Sequence, residues 1–176
     1  MSNTDAPRGF WAIRCLSGAI PPLRRYRVDS ANGSAIFNGD LVKIESDGNI
    51  TSASSGNGSA VIGVAGACYD ANKKPLSYLP ASTAGYIDVW DDPDTIFGIQ
   101  ADGNTAQSDI GATKDHIATQ GNTLTGISAH ELDSDGTSQN QLKIIGKIDT
   151  PDNSWGTNVD LEVLIVEHHY RTNTSI

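Results

Sequence analysis

The residues with the most chemical potential in this chain are four carboxylates in one short stretch, Tyr86-Ile87-Asp88-Val89-Trp90-Asp91-Asp92-Pro93-Asp94. Asp88, Asp91, Asp92 and Asp94 could in principle gather round a hard cation, which takes oxygen ligands. A helix–loop–helix calcium loop, however, spaces its ligands at alternate positions, turns at a central Gly and closes on a Glu. That pattern is missing. Asp is a standard turn residue because its carboxylate bonds nearby backbone amides, so the stretch is expected to make an acidic, solvent-exposed turn.

Other reactive side chains are scattered. His116, His130, His168 and His169 have no zinc spacing. In a strand the adjacent pair His168 and His169 would face opposite ways, so surface or loop positions are expected for all four. Cys15 and Cys68 form no CxxC pair, and two cysteines make no disulfide framework; reduced thiols are expected. No phosphate-cradling loop, no GxGxxG opening a helix and no GxSxG elbow occurs. With 21 acids any glycosidase pair can be imagined, but nothing fixes two of them at a catalytic separation. The expectation is a protein that is not an enzyme, with no catalytic residues, no metal and no cofactor.

The elements that must carry these residues are strands. Ile87 and Val89 alternate with Tyr86, Asp88 and Trp90, and Thr95, Phe97 and Ile99 alternate with their neighbours. This period of two predicts a strand, a turn stopped by Pro93, and a second strand paired antiparallel to the first. Similar short runs occur at 24–28, 41–44, 50–53, 61–68, 124–128, 141–148 and 159–167. Turn signals separate them, among them Asp47-Gly48. No amphipathic helix of ordinary length is present. The pattern predicts an all-β, single-domain fold, a small β-barrel or β-sandwich with long loops. No run of about 18 apolar residues exists, so no membrane helix and no membrane partner is expected. The first residues lack a basic stretch followed by an apolar core, so a secretory leader is not expected.

Charge divides the chain. Residues 1–27 hold five Arg (Arg8, Arg14, Arg24, Arg25, Arg27) and one acid, a net +4. Residues 28–176 hold 7 basic and 20 acidic residues, a net -13. The acidic body argues against nucleic acid as a partner. The basic leader could grip an acidic protein surface or fold back on its own acidic body. Phe10 and Trp11, set between Arg8 and Arg14, fit a docking arm, because interface centres favour Trp and Arg. They fit equally a first strand plugged into its own core. The expected division is a docking segment over 1–27, a β-rich domain over 28–170 and a polar tail over 171–176. The candidate docking residues are Arg8, Phe10, Trp11, Arg14, Arg24 and Arg25.

Several segments taken together resemble one family. They are Ala35-Ile36-Phe37-Asn38-Gly39-Asp40-Leu41-Val42, Ile62-Gly63-Val64-Ala65-Gly66-Ala67, Val89-Trp90-Asp91-Asp92-Pro93 with Phe97-Gly98-Ile99-Gln100, Asp109-Ile110-Gly111, and Val163-Leu164-Ile165-Val166-Glu167-His168-His169. Their order and spacing are similar to those of capsid decoration (cement, head-stabilising) proteins of tailed bacteriophages. The resemblance covers roughly residues 7–170, and the Asp-Asp-Pro turn before Phe-x-Ile-Gln is its most specific part. It implies a non-enzymatic virion structural protein of β-tulip type with an extended N-terminal arm. Such a protein assembles in the host cytoplasm onto the outer capsid surface, as a homotrimer bound across neighbouring major capsid protein subunits. Family members often begin with an Asn-Pro-Phe-Gly-Leu-like run, whereas this chain has Ala6-Pro7-Arg8-Gly9-Phe10-Trp11. The alternative is a carbohydrate-binding module on a virion surface, with Trp11, Trp90 and Trp155 lining a groove.

Overall fold

The computed structural model describes residues 3–56, 60–137 and 140–171. The expected polar tail beyond Arg171, and residues 57–59 of the loop after the fifth strand, lie outside them. The described chain is all-β. Its strands are β1 (Trp11–Cys15), β2 (Leu23–Val28), β3 (Ile36–Phe37), β4 (Leu41–Ile44), β5 (Ile50–Ser52) and β6 (Gly63–Asp70). There follow β7 (Pro75–Leu76), β8 (Tyr78–Leu79), β9 (Gly85–Trp90), β10 (Thr95–Gln100) and β11 (Asn104–Thr105). The series ends with β12 (Thr113–Ile117), β13 (Glu131–Asp133), β14 (Leu142–Lys147), β15 (Gly156–Thr157) and β16 (Asp160–Ile165). A 3-10 turn at Gln107–Asp109 is the one helical element among the described residues.

Two antiparallel sheets dominate. The first has the order β1-β10-β16-β14-β12-β13, the second β2-β9-β6-β4-β5, with β7 added to β6. Both sheets are open, so the architecture is sandwich-like and no barrel closes. Neighbouring residues of one strand serve different cores, as the pleat requires. Leu41 and Val64 join a cluster with Phe97, Leu161 and Val163 of the first sheet. Val42 and Ala65, one residue on, join a second cluster with Ile36, Leu79 and Ile87. The β4–β6 part of the second sheet is thus covered on both faces, while β2 keeps most of its residues in solvent. This is why β6 is a near-continuous apolar run of small residues rather than an alternating one.

Residues 86–100 are two strands about an acidic turn, as predicted, but the strands do not pair with each other. β9 pairs with β2 and β6, whereas β10 pairs with β1 and β16. Asp91-Asp92-Pro93-Asp94 is the corner where the chain leaves one sheet for the other. β10 is buried along its whole length, because strands flank it and Trp11 covers its outer face at Gly98. The predicted strand at 124–128 is a turn: Gly126 has φ +75 and Leu124 is fully in solvent.

Candidate functional site

The basic leader is part of the fold. Trp11–Cys15 pairs with β10 and forms one edge of the first sheet; Leu23–Val28 pairs with β9 and forms one edge of the second. Among the described residues, 3–8 form an extended arm that lies along the chain's own body. Asn3 Nδ2 donates to the carbonyls of Ser154 and Thr157 at 2.8 Å, and Ala6 N–H donates to Gln100 Oε1 at 2.8 Å. A separate docking segment over 1–27 is therefore corrected, because its residues supply edge strands to both sheets. Phe10 as a docking anchor is corrected as well. Its ring is 2% exposed and meets Phe97 edge-on at 6.3 Å.

Four of the five leader arginines fold back onto acids of the chain's own body. Arg8 Nη2 lies 2.7 Å from Asp160 Oδ2. Arg14 grips Glu162 with both terminal nitrogens, at 2.7 and 3.0 Å, which raises its pKa above the ordinary value. Arg25 donates to the Asp88 carboxylate from Nε and Nη2, at 2.7 and 2.9 Å, and also lies 4.1 Å over the Tyr69 ring. The Arg25 hydrogen bonds hold the Asp88 carboxyl below its ordinary range. Arg24 Nε is 3.2 Å from Asp91. Half-exposed pairs of this kind fix orientation more than they add stability.

The acidic corner is less exposed than expected, and each of its carboxylates has work within the chain. Asp91 is buried, and its Oδ2 accepts from Tyr26 Oη at 2.7 Å. Because a carboxylate only accepts, Tyr26 must donate to it. Tyr26 then accepts from Tyr170 Oη at 2.7 Å, which in turn accepts from Arg24 at 3.0 Å. Burial, with Tyr170 and Asp91 close by, raises the Tyr26 phenol well above its ordinary range. Asp92 accepts from the Asp94 amide at 2.8 Å, and Arg171 pairs with Asp94. No cluster of His, Cys, Asp and Glu able to hold a metal occurs among the described residues.

Trp11 remains a surface candidate. Its indole fills the space beside Gly98 where a side chain would stand, and the Arg8 guanidinium sits 4.2 Å over the ring. Beside it runs an open groove of about 630 Å³, walled by Trp11, Ile13, Ile127 and Ile148 and rimmed by Asp160 and Glu162. Ile127 keeps 46% of its surface in solvent. Sequence reasoning found Trp11 but missed Ile127 and Ile148, which arrive from distant loops with no local pattern to mark them. The glycan reading needs the three tryptophans as one platform; Trp90 and Trp155 instead pack against the first core cluster.

Three of the four histidines are buried, which corrects the expectation of surface positions: His116, His130 and His168 are each 1–2% exposed. His130 Nδ1 accepts the Leu41 N–H at 3.2 Å, so its proton sits on Nε2, facing Asp40 Oδ1 at 3.4 Å. That contact misses hydrogen-bond geometry, and Asp40 Oδ1 has no hydrogen-bond partner among the described residues. Asp40 Oδ2 accepts from Phe37 N–H at 2.9 Å. Burial raises the Asp40 carboxyl to about 6 and lowers His130 to about 3. Both cysteines are free and buried; burial pushes the Cys68 thiol up to about 12.

Compared with protein-family models, with curated proteins and with solved structures, the chain matches none.

Proposed function

We propose that this chain is a virion structural protein that decorates and stabilises a phage capsid. It does so as a homotrimer bound across neighbouring major capsid protein subunits on the outer surface. The observation that carries the reading is the groove beside Trp11. A rigid aromatic wall, aliphatic neighbours and a rim of fixed ion pairs make the kind of surface that anchors an apolar segment. The order of motifs described above supplies the capsid as the partner. A shell is held by modest contacts repeated at every joint, and a molecule spanning each joint adds buried area there. Three linked copies raise the effective concentration at each site, so individually weak contacts persist.

The revised docking residues are Trp11, Ile13, Ile127 and Ile148, with Arg8 and Arg14 holding the rim through Asp160 and Glu162. Phe10 is buried beneath this surface, Arg24 pairs with Asp91 at the acidic corner, and Arg25 pairs with Asp88 on β9. The test is co-sedimentation with expanded capsids. Trp11→Ala and Ile127→Asp should each reduce retention while the purified variants stay folded and trimeric. Full retention by both variants, or a strictly monomeric wild type, overturns the proposal.

A further inference from the structure

A second concave site lies away from the Trp11 groove and is unused by the proposed function. It is a cavity of about 450 Å³ bordered by the chain before β3, the exit of β5 and residues 118–120. Asp40 and His130 form its floor, and Ser34, Ser52, Ser54 and Gln120 line its walls. We propose that this cavity binds a primary ammonium group, with Asp40 as its counterion.

The argument rests on charge and donors. Among the described residues no Lys or Arg lines the cavity, so none of them would hold a phosphate or carboxylate, and Asp40 would repel one. Asp40 is 2% exposed; the Ser52 and Ser128 hydroxyls stand beside it, and among the described residues no Lys or Arg pairs with it. His130 cannot take that role without giving up the bond from Leu41 N–H to its Nδ1. His116 stands behind it at 5.5 Å, where a second positive ring would be repelled. A buried carboxylate with no cationic partner is costly to keep ionised and is matched by a ligand that brings charge and N–H together. A primary ammonium brings three donors, for Asp40 and for the hydroxyls above it. The Ser52 hydroxyl, 3.5 Å from Asp40 Oδ2, can turn aside by rotation about one bond to admit it. A sugar is a poor match, because the Phe37 ring is stacked on Tyr78 at 4.9 Å and crowded by Gly121, which leaves no stacking platform. The cavity suits a small aliphatic amine or a single lysine side chain.

The test is calorimetric titration of the full chain with 1,4-diaminobutane and, separately, with a short peptide capped at both ends and holding one lysine. The tighter probe identifies the source of the ammonium group. Besides His130 and His116, the titratable group facing Asp40 is Cys68 on β6, which stays a thiol throughout the range. Binding should therefore release a proton from Asp40, in an amount that grows as the pH is lowered from about 7.5 towards about 5. Asp40→Asn, which keeps an acceptor for Phe37 N–H, should weaken binding at least ~10-fold and abolish the proton release. Should that variant fail to fold, Ala81→Trp at the exposed rim decides: it should block binding with the melting temperature unchanged. No saturable heat from either amine up to ~10 mM, or equal binding by the folded Asp40→Asn variant, or unchanged binding by Ala81→Trp, overturns the proposal.

Discussion

The Trp11 indole occupies the space beside Gly98 where any side chain at position 98 would have to stand. The two residues are paired across β1 and β10, so the ring covers β10 and also lines the groove. Gly98→Ala should therefore lift the indole and cost about 1–3 kcal/mol, the usual penalty for overpacking. Chemical denaturation followed by tryptophan fluorescence would measure both the loss and the altered ring environment. An unchanged midpoint would mean that the ring moves aside freely.

The corner carboxylates should differ in importance. Asp91 is buried and ends the chain of donors running from Arg24 through Tyr170 and Tyr26. Asp91→Ala strands that chain, and a loss of about 1–3 kcal/mol is expected. Arg25→Ala breaks a solvent-exposed pair and should leave the denaturation midpoint almost unmoved. The same denaturation series on the two variants tests the contrast.

Acid should destabilise the fold, with one group working against the trend. Burial lowers His130 to about 3 and His168 to about 4, so below about 6.5 the unfolded chain binds protons that the folded chain refuses. Stability falls as the pH drops through that window. Asp40 has the opposite sign. Its carboxyl is raised to about 6, so between about 6 and about 4 the folded chain takes up a proton that the unfolded chain does not. This gain partly offsets the histidine loss. Melting temperatures measured across the range should decline below about 6.5, and decline more steeply in Asp40→Asn. A shallower decline in that variant would show that Asp40 is ionised in the folded protein throughout.

Neither thiol should react while the protein is folded. Cys15 and Cys68 are buried and free, and burial raises both pKa values, so little thiolate is present to attack. A chromogenic thiol reagent at mildly alkaline pH should report no free thiol in native protein and both after denaturation. Rapid labelling of native protein would reveal an opening that exposes one of the two cores.

Ile20 and Leu124 are 91% and 92% exposed, so Ile20→Ser and Leu124→Ser should leave stability within about 0.5 kcal/mol of the parent. Melting curves would check this. A change of oligomeric state in either variant would place that residue in a contact between copies.

The sequence by itself determined that the chain is all-β. Alternation at Ile87 and Val89, the small apolar run Val61–Cys68 and the Asp47-Gly48 turn are local properties, and they hold wherever the strand is placed. It also marked Trp11 and the basic leader as unusual. What it left open was partnership. A period of two says that a strand has two faces, but not which strand it lies beside or whether one face or both are covered. Only the tertiary structure put β9 and β10 in different sheets, drew Phe10 into the core, and turned Arg8 and Arg14 onto acids about 150 residues away. It alone buried His116, His130 and Asp40, whose surroundings are assembled from segments with no local signal. The physical reason is common to all of these. Burial and charge pairing are set by long-range contacts, and the same local sequence can satisfy its backbone and side chains with different neighbours until the remainder of the fold selects one.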